Sequence, residues 1–188
     1  NKYIEIYNGT GANVNLTGYK LTLYSNGSLT GTEYALSGTL SNNSTIVYKN
    51  ASATVYGGTS TSTGACNFSG DDAIALFNGS VMIDLIGIIG EDPGTSWTGT
   101  GGYATAEKTI VRKNTVVQGI KSNPASGFPT LTTEWVLANQ DDVTGLGSHT
   151  FTPLAAGDAT QTVALGDNLY SFAATGVSIY FKIITTGG

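Results

Sequence analysis

Short runs of alternating apolar and polar residues recur along this chain, and a turn dipeptide or glycine-rich stretch cuts off nearly every one. Few windows hold an apolar period of helical length, so the spacing predicts an all-β fold of many short strands. The clearest unit is a hairpin: a strand over 72–77, Asn78-Gly79 as a type I′ turn, and a return strand over 81–89 with Val81, Ile83 and Leu85 on one face. Ile4 and Ile6 share a face of the first strand, with Tyr3, Glu5 and Tyr7 on the other. Further strands are expected over 19–25 (ending at Asn26-Gly27), 34–36, 45–49, 54–56, 109–113 and 135–137. Loops are expected over 57–64, 92–102, 122–129 and 153–158, with a closing turn over 145–150. Strands over 161–165, 169–173 and 177–184 would follow.

Composition narrows what such a fold can do. The 188 residues allow one compact core, and 26 glycines suit a chain of many turns. Only 11% of residues are charged and the net charge is −5, with the basic residues scattered, which disfavours a nucleic-acid surface. No apolar run approaches a membrane span. A single cysteine, Cys66, rules out an intrachain disulfide and reads as a buried, inert thiol. The charge-poor, Thr/Ser/Asn/Gly-rich composition points to an exported bacterial protein. The N-x-[ST] patterns, from Asn8 to Asn78, mark surface loops better than glycosylation.

Catalytic patterns are lacking. His149 is the sole histidine, no G-x-S-x-G occurs, and Ser148 beside it on an extended chain points away. Zinc would have one His and one Cys to bind it. The carboxylates Asp71, Asp72, Asp84, Glu91, Asp92, Asp141 and Asp142 show no spacing that opposes two of them across a cleft. Asp71-Asp72 reads first as a turn cap, with a calcium site as its sharper rival. Tyr3, Tyr7, Tyr19 and Tyr24 read as cross-strand packing, with a sugar-stacking surface as the alternative.

A family pattern joins these pieces. The opening Tyr3-Ile4-Glu5-Ile6-Tyr7-Asn8 is followed by Val14 to Leu21, the hairpin halves Gly70 to Leu76 and Val81 to Gly87, and Asp92-Pro93-Gly94 with Trp97. Thr109 to Lys113, Glu134-Trp135 and Leu146 to Thr150 complete the order. Over residues 1–151 this set resembles the lamin-tail domains of exported bacterial proteins. The resemblance implies an immunoglobulin-like β-sandwich without catalytic residues, in which Asp71, Asp72, Asp84, Arg112 and Trp135 define the fold. Members of the family normally carry one more strand ahead of this opening. The segment 178–188 has that strand's shape and ends in a small polar turn.

The expected organisation is therefore a lamin-tail-like sandwich over 1–151 and a C-terminal β extension over 152–188, whose strand 177–184 completes the same or a neighbouring sandwich. The assembly residues would be Tyr3, Ile4 and Ile6 on one strand and Ile179, Phe181 and Ile183 on the other. The expected function is a non-enzymatic, extracellular or cell-surface structural module that takes itself as partner, in a filament or tandem-repeat fibre built by strand complementation. The alternative is a carbohydrate- or calcium-binding adhesion module, with calcium at Asp71 and Asp72 and a surface glycan as ligand. No cofactor, nucleic acid or membrane span is expected.

Overall fold

The computed structural model describes residues 1–152 and the backbone of residues 180–184. The segments expected over 153–158, 161–165 and 169–173, and the strand residues before Tyr180, lie outside the described residues.

Alternation makes β1 (Tyr3–Asn8), whose six residues are all buried. The chain continues through β2 (Val14–Asn15), β3 (Tyr19–Tyr24), β4 (Thr32–Ala35), β5 (Thr39–Leu40) and β6 (Ser44–Lys49). After β7 (Thr61–Ser62) and a 3-10 turn at Gly64–Cys66 come β8 (Ala73–Asn78) and β9 (Val81–Ile86). The small strands β10 (Thr98–Gly99) and β11 (Tyr103–Ala104) precede β12 (Thr109–Arg112), β13 (Trp135–Ala138) and β14 (Tyr180–Ile184).

These strands form two main sheets, one of six in the order β13-β12-β14-β1-β6-β7 and one of four in the order β4-β3-β8-β9. Ile4, Ile6, Ile110 and Trp135 of the first meet Leu21, Leu23, Ile74, Leu76 and Ile86 of the second in one apolar core. Each such aliphatic side chain contributes about 1.5–3 kcal/mol by leaving water, so this seam is the main stabilising feature of the sandwich. Both sheets are also covered outside. Tyr3, Val47, Ala53 and Leu146 cluster over the larger one, and Ala73, Ala75 and Leu85 over the smaller, with Ile120 against them.

Several local expectations are corrected. Asn78 and Val81 are register partners, so the hairpin loop is Gly79-Ser80 rather than Asn78-Gly79. Only Gly79 has a positive φ (59°), the pattern of a II′ turn, because a I′ turn needs it at both central residues. Asn26 and Gly27 do both have positive φ, and the turn around them closes with Ser28 N–H donating to Ser25 C=O at 3.1 Å. Val81, Ile83 and Leu85 do not share a face. Leu76 pairs with Asp84 and Phe77 with Met82, so Ile83 is the extra residue of a β-bulge and the alternation changes phase there. Ile83 packs against the main core, Leu85 lies in the outer cluster, and Val81 is exposed. β9 also ends at Ile86, short of Ile89, whose N–H and C=O bond the side chain of Asn123 (both 2.9 Å) instead of a strand. Residues 54–56 are irregular: Thr54 N–H donates to Asn1 Oδ1 (2.9 Å) and Tyr56 N–H to Tyr3 Oη (3.0 Å), acceptors that replace a strand partner. The segment 92–102 is not wholly loop, since Thr98–Gly99 pairs with Tyr103–Ala104.

Candidate functional site: a strand slot between buried charges

The six-stranded sheet is continuous only through β14. Its register with β1 is Tyr3↔Ile184, Ile4↔Ile183, Glu5↔Lys182, Ile6↔Phe181 and Tyr7↔Tyr180. With β12 it is Thr109↔Ile184, Ile110↔Ile183 and Val111↔Lys182. Both pairings are antiparallel, so β1 and β12 run parallel to each other with one strand between them. Neighbouring strands lie about 4.8 Å apart, which makes β1 and β12 the walls of a slot roughly one strand wide. An unfilled slot would present the inner edges of both walls as unpaired N–H and C=O groups. Tyr3, Ile4 and Ile6 stand on one wall, and the register sets Phe181 and Ile183 opposite Ile6 and Ile4. Ile179 lies outside the described residues.

The two faces of the slot differ. On the core side, Ile4, Ile6 and Ile110 are buried in the seam between the sheets. On the outer side, the turn expected over 145–150 lies across β1. Leu146 packs with Tyr3, the His149 ring sits 4.9 Å from that of Tyr7, and Gly147 N–H donates to the Glu5 carboxylate. Glu5 is only 1% exposed. Ser148 Oγ donates to Gly145 C=O (3.2 Å) within this turn.

A second group of charges pins the two sheets together. Arg112, on the inner face of β12, donates through Nη2 to both oxygens of Asp84 on β9 (2.6 Å each), and through Nη1 to Glu134. Asp84 is brought inward by the bulge at Ile83, and its Oδ1 also accepts from Leu85 N–H (2.9 Å) and Ile120 N–H (2.8 Å). The guanidinium lies 4.2 Å over the Trp135 ring. The sequence pattern singled out Asp84, Arg112 and Trp135 but assigned nothing to Glu134 or to Glu5. The available signal for Glu5 was a carboxylate between two tyrosines on one face of a strand whose other face is Ile4 and Ile6.

Asp71 and Asp72 are both buried. Asp72 acts as a clamp: Oδ1 accepts from Asn26 N–H (2.9 Å) and Oδ2 from Ser69 N–H (2.8 Å), tying the turn after β3 to the entry of β8. Among the described residues no group of three or more His, Cys, Asp or Glu side chains could hold a metal ion. Of the tyrosines considered for stacking a sugar, Tyr3 and Tyr7 are buried (0% and 4% exposed), so they cannot form an open platform. Tyr19 and Tyr24 are half-buried. Burial pushes the Cys66 thiol up to about 12, which keeps it protonated and unreactive near neutral pH. A groove of about 360 Å³ with mixed polar and apolar lining runs beside β6, lined by Thr45, Val47, Tyr56, Thr59, Thr61 and Gly147. Among the described residues no helix is long and apolar enough to cross a membrane.

In comparisons with known proteins, no curated protein and no solved structure matches. A family model does: the one described as Lamin Tail Domain, over residues 1–90, the stretch that runs from β1 past the end of β9. Residues 1–90 thus match the lamin tail domain family, and the all-β sandwich around them is the immunoglobulin-like fold of that family.

Proposed function

We propose that this chain is a non-enzymatic structural module of an exported bacterial protein, a repeat or subunit of a cell-surface fibre whose copies join by strand complementation. The observation that carries the reading is the place of β14: a strand remote in sequence from both its neighbours closes the gap between β1 and β12. A strand from the next copy would offer the slot the same backbone donors and acceptors, which is the physical basis of strand exchange. The composition supports export, being poor in charge and rich in Thr, Ser, Asn and Gly. The interlocked buried side chains around Arg112 suit a load-bearing role, since both sheets are held by one residue's contacts.

The test is light scattering and electron microscopy on the full chain and on a variant lacking Val177 to Gly188. Concentration-dependent assemblies that the deletion abolishes support the fibre. A monomer that the deletion destabilises keeps the structural module but closes the slot within one chain. If the truncated chain is as stable and as monomeric as its parent, the reading fails.

A second reading, adhesion to a surface glycan, rests on the groove beside β6, where Tyr56 and three threonines supply a ring and hydroxyls. Its size suits about one sugar ring in a binding cleft. A glycan array with no hit, alongside a calcium titration without effect, removes it.

A further inference from the structure

The slot has a buried carboxylate residue, Glu5, at its centre. Among the five β1 residues in register with β14, Ile4 and Ile6 turn to the core and Tyr3, Glu5 and Tyr7 to the outer face. Glu5 is the middle one of the five and the only one with an ionisable carboxylate. It is 1% exposed, held under the 145–150 turn with Gly147 N–H on its carboxylate. On its other side its register partner in β6 is Val47, which cannot balance a charge. A buried carboxylate is costly unless an opposite charge and further hydrogen bonds meet it. The residue that the register sets opposite Glu5 across the slot is Lys182, the sole charged residue of β14, and its neighbour on the far wall is Val111. Directly opposed residues of an antiparallel pair share a face, so Glu5, Lys182 and Val111 form one row across the sheet.

We propose that Glu5 is the specificity-determining residue of the slot, which admits a strand carrying a cation at its central outer-face position flanked by apolar core-face residues. The juxtaposition of Glu5 with register position 182 is its basis. The selection follows from the period of two. Shifting the strand by one residue would put Phe181 or Ile183 opposite Glu5 and move position 182 to the rows shared with the core face of β1. Shifting it by two would oppose Glu5 to Tyr180 or Ile184. In every such register no basic residue stands opposite Glu5, so only one register sets a cationic residue in the row of Glu5 and apolar residues in the rows of Ile4 and Ile6. The rule holds whether the strand comes from the same chain or from a second copy. It rests on the reading of β1 and β12 as a slot, and it names the kind of strand that slot takes: apolar, basic, apolar, in alternation.

The experiment is a double-mutant cycle on the full chain, read by thermal unfolding. Glu5→Gln and Lys182→Met should each lower Tm by several degrees, and the double variant should be no less stable than the weaker single one. Losses that add in the double variant overturn the proposal. Should Glu5→Gln fail to fold, position 182 is scanned alone. Lys182→Arg should keep the parent Tm and Lys182→Glu should lose more than Lys182→Met, whereas equal values for all three overturn the proposal. The deletion of residues 177–188 judges the slot separately: a destabilising deletion with additive single variants leaves the slot standing and removes the charge rule alone.

Discussion

Arg112 spends its charge on two carboxylates that are not equivalent. Asp84 is fully buried and bound twice, while Glu134 keeps about a quarter of its side chain in water (28% exposed). Removing the guanidinium leaves Asp84 as an uncompensated buried charge, so Arg112→Ala should cost about 3–5 kcal/mol in urea unfolding. Glu134→Gln removes a solvent-screened partner and should cost at most about 1 kcal/mol. Equal losses for the two variants would refute this ranking. Cys66 and Tyr48 make a pH prediction. Burial raises both groups to about 12, from 9.0 and 10.0 respectively. Each therefore loses its proton at lower pH in the unfolded chain than in the folded one. Stability from this source is whole below about pH 9 and falls as pH rises towards about 12, where the folded groups ionise too. Tm measured across that window should decline, and Cys66→Ala should flatten part of the decline. Asn8 is a residue the chain's glycosylation pattern cannot use while folded. It is fully buried, with its side-chain amide donating to Ala12 and Leu40 carbonyls.

At the scale of an element, the bulge in β9 decides where Asp84 points. Plain alternation would set Asp84 on the face opposite Ile83 and Leu85, but with Ile83 unpaired, Asp84 lies opposite Leu76 on the core side. Deleting Ile83 should thus leave a regular ladder in which Asp84 still reaches Arg112, at the cost of one half-buried side chain, about 1–2 kcal/mol. Deleting Leu85 instead shifts Ile86 out of phase and should unfold the sandwich; circular dichroism on the two deletions distinguishes them. The clamp at Asp72 belongs here too. Asp72→Ala would leave the Asn26 and Ser69 N–H groups without their acceptor, a loss of about 1–3 kcal/mol in unfolding free energy. The alternation in β1 was legible in sequence because its period of two needs no partner to be seen. The bulge was not, because nothing in the run Val81 to Ile86 marks Ile83 as surplus until β8 is laid beside it.

At the scale of the whole molecule, the larger sheet divides into β13-β12 and β1-β6-β7 wherever the middle strand is withdrawn. Hydrogen exchange on the variant lacking residues 177–188 should show fast exchange for those β1 amides that face the slot and continued protection for those that face β6. Uniform protection along β1 would mean that the walls close on each other. The molecule also hides what first looks like binding surface. Tyr3 and Tyr7 are outward on their sheet, yet the turns at 53–56 and 145–150 cover them.

The sequence by itself determined the class of fold, the β1 faces, the major strands among the described residues and the lamin-tail likeness matched over residues 1–90, because alternation, turn dipeptides and an ordered motif set are local properties of the chain. Tertiary structure alone decided the rest. Which strand lies between β1 and β12, what covers the outer face of β1, and how Glu134 joins Asp84 on one guanidinium all depend on pairings between residues far apart in the chain. Glu5 shows the difference most plainly. In sequence it is one carboxylate among polar alternates; in the fold it is a buried charge at the centre of a slot, and burial comes only from what packs around it.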